Sequence, residues 1–362
     1  MSLDFFGEFA SDYENALLQT GFGKFQILLL LICGLIYMNT AIGVTIISFV
    51  LPSATCDFAM TSTHKGWLSA SPMLGMLIGS YFWGFLADTR GRRMVLITTL
   101  LADGICGVLS SFAPVYIVFV LIRIVNGFNV AGTMGIVFPY LGEFQTTQHR
   151  EKVLCWMELF WTLGIIILPG IAWCLIPLKI HIGSGLFIYH SWNLFVALCG
   201  IPSILLGLWL LTFPESPKFL LEHGEVEKAI DVLSHIYAKN SGNKCHEYPC
   251  TNLRIPDRYY QKIGMKSIAN LRFRKSDELK VLLLEVWAQT TILFKQPYIR
   301  VSLLTCGIQF CLTTSYYTLM VWFPEIFQRF TEYEKAFPGT PASICDVSSI
   351  VPSNSSLPAA RH

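Results

Sequence analysis

The chain has 362 residues, of which 53% are hydrophobic and only 14% are charged, and its mean hydropathy is +0.52. This composition excludes an ordinary water-soluble globule and predicts a polytopic membrane protein. The formal net charge of +2 does not indicate a nucleic-acid partner, because in such a protein the distribution of Lys and Arg across the bilayer matters more than their sum. We therefore expect the lipid bilayer as a partner and no nucleic acid.

Seven apolar segments are long enough to cross a bilayer, which takes roughly 20 residues. The first follows an amino terminus of residues 1–24 and is too long for the core of a signal peptide. The spans are predicted at 25–51, 67–87, 94–112, 115–139, 153–177, 192–213 and 301–323. The first six should form one bundle over 25–213, with a linker at 214–300 and a tail at 324–362.

A tight, charged turn joins the second and third spans. Its candidate conformational residues are Gly84, Asp88, Arg90, Gly91, Arg92 and Arg93. Gly91 suits a turn because it tolerates positive φ. Arginines beside spans stay on the cytoplasmic side, so this turn, the amino terminus and the linker are predicted to be cytoplasmic. The spacing Gly-x-Leu-Ala-Asp-x-x-Gly-Arg-Arg resembles the loop between spans two and three of the major facilitator superfamily.

Small residues at four-residue spacing predict close helix packing. Gly75 and Gly79 lie on one face of the second span, and Gly127, Ala131 and Gly135 lie on one face of the fourth. Such faces let helix backbones approach closely in membranes. We interpret them as structural positions rather than as a site.

Two ionisable residues stand out within the predicted spans, Asp103 and Arg123. A charge at this depth is costly unless it faces a cavity or finds a partner. Both lie at a similar predicted depth, so we expect a buried ion pair or a shared polar cavity, with a purely structural bridge as the alternative. Asn126, one turn after Arg123, joins them in a candidate transport path.

The predicted seventh span carries a polar stripe on one helix face. Its members are Ser302, Thr305, Gln309, Thr313 and Tyr316. A polar stripe facing lipid would be costly, so it is expected to line a water-filled path or to pack against another helix. Ser and Thr can instead bond the carbonyls of the preceding turn. We add Gln309, Thr313 and Tyr316 to the candidate transport path.

A proline-rich element follows the sixth span at Pro214, Glu215, Ser216 and Pro217. Proline ends one helix and the short polar run starts another. The pattern resembles the Pro-Glu-Ser-Pro-Arg element of sugar porters, organic cation transporters and synaptic vesicle glycoprotein 2 relatives. Three further stretches narrow the resemblance to the last group, namely Cys33-Gly34-Leu35 with Phe49 to Ala54, His190-Ser191-Trp192, and Ser315-Tyr316-Tyr317 with Val321-Trp322-Phe323-Pro324.

The resemblance implies an all-α fold of twelve spans in two six-helix bundles, with a glycosylated luminal loop after span seven. This chain would then hold the amino-terminal bundle, the seventh span and the start of that loop, as a truncated form or a regulatory half. Self-association is one way to supply a second bundle. Asn354 begins an Asn-Ser-Ser acceptor in the predicted luminal tail and is a candidate glycosylation site. Cys56 and Cys345 fall on that same side, which leaves a disulfide between them open.

The resulting functional hypothesis is a secondary transporter of a small molecule or ion that works by alternating access in a vesicle or plasma membrane. The alternative is a non-transporting vesicle membrane protein that binds partners or regulates trafficking. An enzyme is not predicted, because no histidine starts a His-x4-Asp or His-Glu-x-x-His pattern and no Walker loop is present. We expect no cofactor and no metal.

Overall fold

The computed structural model describes residues 13–55, 57–178, 180–182, 189–250, 253, 290–291, 293–336 and 338. Its helices are α1 (Lys24–Ser53), α2 (Ser62–Arg90), α3 (Arg92–Ser110), α4 (Tyr116–Glu143), α5 (Thr147–Leu175), α6 (Ser191–Leu210), α7 (Pro217–Glu222), α8 (Val226–Ser241) and α9 (Ile299–Ala336). Residues 13–19 are also helical, and Cys245–Glu247 forms a 3₁₀ turn. Strands β1 (His181–Ile182) and β2 (Tyr189–His190) pair antiparallel. Asn354, Cys56 and Cys345 lie outside the described residues, so the glycosylation site and the disulfide stay predictions.

Within the described part of the chain, six helices are long and apolar enough to cross a membrane, and they are α1 to α6. They match the first six predicted spans, but most extend further because a helix continues past its apolar segment into polar surroundings. The second span, predicted at 67–87, is a helix over Ser62–Arg90. Helix α9 has 38 residues and continues through Pro324 to Ala336, well beyond the predicted end at 323. Its polar residues make it less apolar than α1 to α6, and its membrane crossing stays a prediction.

The bundle is held by close pairs of helices. Helix α2 packs on α4, α3 packs on α4 and α6, α1 packs on α5, and α9 lies along α1. A Cβ atom on Gly75 would touch the main-chain oxygen of Ile124, and one on Gly127 would touch that of Pro72. These glycines therefore set the α2 to α4 separation, as predicted. The prediction was wrong for Gly135, where an added Cβ would meet open space.

A polar layer divides the apolar core of the bundle. One apolar cluster fills the end where α1 begins, and a second fills the opposite end. In α1 the two clusters are separated by Asn39 and Thr40, in α3 by Asp103, in α4 by Arg123 and its neighbours, and in α6 by Ser203. Because these positions face one another, the four helices meet around a buried polar centre.

A small capping unit covers the end of the bundle where α1 begins. The helix at residues 13–19 packs there with α7 and α8 around a third apolar cluster. The Tyr13 hydroxyl donates to the Glu143 carbonyl at 2.7 Å, and the Tyr248 hydroxyl donates to the Ala16 carbonyl at 2.7 Å. Burial raises the pKa of both tyrosines well above the usual range, so each stays protonated and keeps donating. Helix α8 ends before Gly242, whose φ is 78°.

Candidate functional site

The turn between α2 and α3 is reduced to one residue. Helix α2 ends at Arg90 and α3 begins at Arg92, so Gly91 alone makes the reversal. Its φ is 105°, a value that glycine adopts without the strain a Cβ atom would bring. A Cβ here would also touch the carboxylate of Glu215. Gly91 therefore meets both the conformational and the steric demand of the predicted turn.

Arg92 is the centre of an ion-pair cluster that joins three parts of the chain. Its guanidinium lies 3.3 Å from Glu143 at the end of α4 and 3.9 Å from Glu222 at the end of α7. It also stands over the ring of Phe219, with 5.1 Å between Cζ and the ring centroid. The side chains of Arg92 and Glu143 are each 11% exposed, which strengthens their attraction relative to a surface pair. We call Arg92, Glu143 and Glu222 the arginine clamp.

The Pro214 to Pro217 element is fixed directly to the same turn. The Glu215 carboxylate accepts a hydrogen bond of 3.0 Å from the Arg93 amide in the first turn of α3. That position satisfies an otherwise unpaired amide and places negative charge at the positive end of the helix. Ser216 caps α7 by accepting from the Phe219 amide at 3.3 Å, and Pro217 occupies the first helical position. The Pro214 carbonyl accepts from the Tyr140 hydroxyl at 2.7 Å.

The remaining residues of the turn are divided between exposed and packed positions. The Asp88 side chain is 68% exposed, and its contact with Arg92 is 3.5 Å long. Arg90 is exposed at the end of α2, while Gly84 lies inside α2 with open space around the position of a Cβ. The Arg93 guanidinium donates to the Leu211 carbonyl at 2.7 Å, which connects α3 to the end of α6. The predicted motif thus divides into a packed half and an exposed half.

Asp103 lies within a closed hydrogen-bond network that spans four helices. Its Oδ1 accepts from the Asn126 amide at 2.6 Å, and its Oδ2 accepts from the Ser203 hydroxyl at 2.7 Å. Ser203 in turn accepts from the Asn39 amide at 2.6 Å. Asp103 is 9% exposed and the other three residues are 5% exposed or less. Both carboxylate oxygens are therefore occupied by side chains of the bundle itself.

Asp103 and Arg123 are connected indirectly. The Arg123 guanidinium donates to the Asn126 side-chain Oδ1 at 3.5 Å and to the Ser110 hydroxyl at 3.2 Å, and its Cζ lies 5.1 Å from the centroid of the Phe119 ring. Asn126 thus bridges the two charges, and the direct ion pair is not formed. The hypothesis of a shared polar region is the one that the geometry supports. All these groups lie in the bundle interior, which makes a structural bridge a better description than a transport path.

The polar stripe of α9 does not join this network. Gln309 donates to the Thr313 hydroxyl at 3.2 Å, and Thr313 donates to the Gln309 main-chain carbonyl, so the hydrogen bonds described for both side chains stay within α9. Tyr316 contacts the bundle, because the Trp161 indole N–H of α5 donates to its hydroxyl at 3.4 Å. The six residues of the candidate path therefore form two separate groups. The candidate transport path through these residues stays a prediction.

A second intramembrane carboxylate, Glu158 in α5, was missed by the sequence analysis. It is exposed, and its Oε1 accepts from the Tyr37 hydroxyl at 3.5 Å. The predicted span began at residue 153, which put Glu158 within two turns of its end. Helix α5 begins at Thr147, so Glu158 lies three residues from the helix centre. The predicted span already contained Glu158, so the cost of an intramembrane charge would have singled it out.

Helix α9 is also tied to the other end of the bundle. The Lys65 ammonium of α2 lies 2.6 Å from Glu325, and both side chains are at most 10% exposed. Arg329 reaches the same Glu325 oxygen at 3.1 Å. At this end the Asp57 carboxylate accepts from the Trp192 indole at 2.5 Å and lies 3.0 Å from His190. The predicted His190-Ser191-Trp192 stretch thus fixes the start of α6 to the end of α1.

Comparison with known proteins identifies the family of this arrangement. Residues 45–330 match the protein family described as "Sugar (and other) transporter". The chain belongs to the sugar (and other) transporter family. Synaptic vesicle glycoprotein 2A of Rattus norvegicus is 33% identical over 345 residues, which cover 92% of this chain and 46% of that protein. Synaptic vesicle glycoprotein 2B of Homo sapiens is 32% identical over 336 residues, covering 90% and 49%. The chain spans about half the length of these curated relatives.

Solved structures agree on the fold. The partially occluded inward-open xylose transporter XylE from E. coli superposes with a TM-score of 0.53 and 22% identity, over 60% of this chain and 56% of that one. The major facilitator superfamily proton:xylose symporter XylE bound to 6-bromo-6-deoxy-D-glucose gives a TM-score of 0.53 and 19% identity, over 82% and 68%. The predicted major facilitator fold and the resemblance to synaptic vesicle glycoprotein 2 relatives are confirmed. The protein is a multi-pass membrane protein.

Proposed function

We propose that the protein carries a small solute across a membrane by alternating access, as one bundle of a secondary transporter. Alternating access is largely a rocking of one bundle against another around a central site. Such motion requires that the helices of one bundle and its linker move as a unit. The observation that carries the proposal is the arginine clamp, which ties α3 to the end of α4 and to α7.

The exposed half of the turn supports the same proposal. Asp88 contacts Arg92 at 3.5 Å but its side chain is 68% exposed, so a helix outside this bundle can reach it. We propose that Asp88 contacts a second bundle in one of the two end states. We also propose that this turn and the amino terminus face the cytoplasm, because Arg90, Arg92 and Arg93 cluster at this end. The second bundle would come from another copy of the chain, another polypeptide or further sequence of the same protein.

For the membrane and the substrate we propose only a class. The curated relatives are named synaptic vesicle glycoproteins, which favours a vesicle membrane over the plasma membrane. The similar solved structures are named xylose transporters, which makes a small organic solute the substrate class to test first. The alternative of a partner-binding protein without transport predicts no flux for any solute.

Uptake into vesicles tests the proposal. The purified chain would be reconstituted alone and together with the second half of synaptic vesicle glycoprotein 2A, and a panel of labelled sugars and organic ions would be supplied. Saturable uptake of at least one solute is expected, and Arg92→Gln should reduce it strongly. Lys228→Gln is the control, because Lys228 is an exposed cation whose side chain is 67% accessible. Uptake that Arg92→Gln leaves unchanged, or the absence of uptake in both preparations, would contradict the proposal.

A further inference from the structure

Four side chains near the centres of their helices meet on one face of the bundle. They are Tyr37 of α1, Glu158 and Trp161 of α5, and Tyr316 of α9. Trp161 is the middle residue of α5, and the other three lie within three residues of the middle of their own helices. At 1.5 Å per residue, all four are therefore within about 5 Å of a helix midpoint. Substrate sites of secondary transporters lie near the middle of the membrane, between their spanning helices.

The rings form a wall beside the carboxylate. Tyr37 lies 4.9 Å from Trp161 and 4.8 Å from Phe138, measured between ring centroids. The Trp161 indole donates to the Tyr316 hydroxyl at 3.4 Å. The rings of Tyr316 and Tyr317 meet edge to face, with 5.2 Å between their centroids. These contacts fix the rings relative to one another. We call Tyr37, Phe138, Trp161, Tyr316 and Tyr317 the aromatic wall.

Glu158 has spare capacity for a ligand. A carboxylate can accept about four hydrogen bonds, and the described residues supply this one with the single 3.5 Å contact from Tyr37. The described residues place no Lys, Arg or His within ion-pair distance of it. A charge at the centre of a spanning helix is costly without a partner. We therefore infer that the cation that offsets this cost is not one of the described residues.

An apolar cavity of about 360 Å³ adjoins the aromatic wall. Tyr316 belongs to both, and the cavity continues between α1, α5 and α9 past Phe49, Leu168 and Phe323. Ser48 and Thr45 are the polar residues of its lining, and both are buried. The wall of the cavity is thus mostly apolar.

We propose that Glu158 and the aromatic wall bind a small organic cation. The ammonium group lies between the Glu158 carboxylate and the faces of Tyr37 and Trp161, and the apolar part of the molecule occupies the adjoining cavity. Tyrosine and tryptophan faces attract ammonium groups through the ring quadrupole, most strongly where water is excluded. Pocket volumes of this order accept small organic molecules. The inference rests on the proposed transport function and names the substrate class.

Equilibrium binding to the full chain in lipid nanodiscs tests the site without requiring flux. The probes are labelled choline, tetraethylammonium and phenethylammonium, and the uncharged competitor is 3,3-dimethylbutan-1-ol, which has the shape of choline. We expect saturable binding of at least one cation and no competition by the alcohol. Glu158→Gln should weaken binding roughly tenfold or more, because it removes the negative charge that attracts the ammonium group. Trp161→Ala should weaken it severalfold, and Trp161→Phe less.

Matched controls keep the outcome decisive. Glu151→Gln alters an exposed carboxylate of the same helix and should leave binding unchanged. Failure of all three cations to bind, equal competition by the alcohol, or full binding by Glu158→Gln would each overturn the inference. Flux of another solute without cation binding would leave the proposed transport function intact while rejecting this site. Cation binding without any flux would support the site and reject transport.

Discussion

Asp103 and Glu158 are two carboxylates deep within spanning helices, and they are held in opposite ways. Asp103 is 9% exposed and both of its oxygens accept short hydrogen bonds from Asn126 and Ser203. Glu158 is exposed and accepts one long contact from Tyr37. The two residues carry the same charge and lie close to the middle of their helices, so neither property distinguishes their roles. The comparison teaches that a carboxylate saturated by its own bundle is structural, whereas an unsaturated one is available to a ligand.

The largest effect is expected from removing one charge of the interior network. Arg123→Gln should destabilise the bundle by about 3 kcal/mol, because it leaves the buried Asp103 without a nearby cation. The midpoint of thermal unfolding can be followed with a thiol-reactive dye, since Cys33 is free and buried. Combining Arg123→Gln with Asp103→Asn should recover part of the loss. A double variant as unstable as the sum of both single variants would show that the two charges are not coupled.

Close packing between α2 and α4 gives the next largest effect. Gly127→Ala places a methyl group against the main-chain oxygen of Pro72, and overpacking of this kind costs about 1–3 kcal/mol. Gly135→Ala is the matched control, since open space surrounds the added methyl. Unfolding in the same lipid environment would compare the two. Equal midpoints for both variants would mean that the Gly127 contact does not limit the helix separation.

A smaller effect is expected at the start of α3. Glu215→Gln removes the charge at the Arg93 amide and should cost about 1–2 kcal/mol. Glu225→Gln is its control, because Glu225 pairs with Lys228 on the surface, where such pairs contribute little. Hydrogen exchange of the first turn of α3 provides the local readout. Unchanged protection of the Arg93 amide in Glu215→Gln would contradict the capping role.

Much of the fold followed from the sequence because span length and apolar composition are local properties. The tight turn at Gly91 and the helix start at the Pro214 to Pro217 element were predictable because glycine and proline are local signals too. The links from Asp103 to Asn126 and Ser203 were not, because they depend on the rotation of α4 and α6 about their axes. Ser203 carries no signal of its own within an apolar segment.

The candidate site was less predictable than the fold. The α9 stripe was recognised by its periodicity, but which neighbour it meets depends on how α9 lies along α1. Tyr316 therefore reaches Trp161, while Gln309 stays on the exposed side. Glu158 lay within the predicted span at 153–177, but close to its start, and was not singled out. Correct helix ends matter more for finding charged sites than for finding spans, because depth decides whether a charge is costly.

The most direct measurement compares the unfolding midpoints of Asp103→Asn and Glu158→Gln in the same nanodiscs. Asp103→Asn should lower the midpoint clearly, because it removes the charge facing Arg123 and puts an amide N–H₂ where an acceptor is needed. Glu158→Gln should change stability by no more than about 0.5 kcal/mol, as expected for a position that the fold does not use. A Glu158→Gln variant as destabilised as Asp103→Asn would contradict the distinction between a structural and a ligand-binding carboxylate.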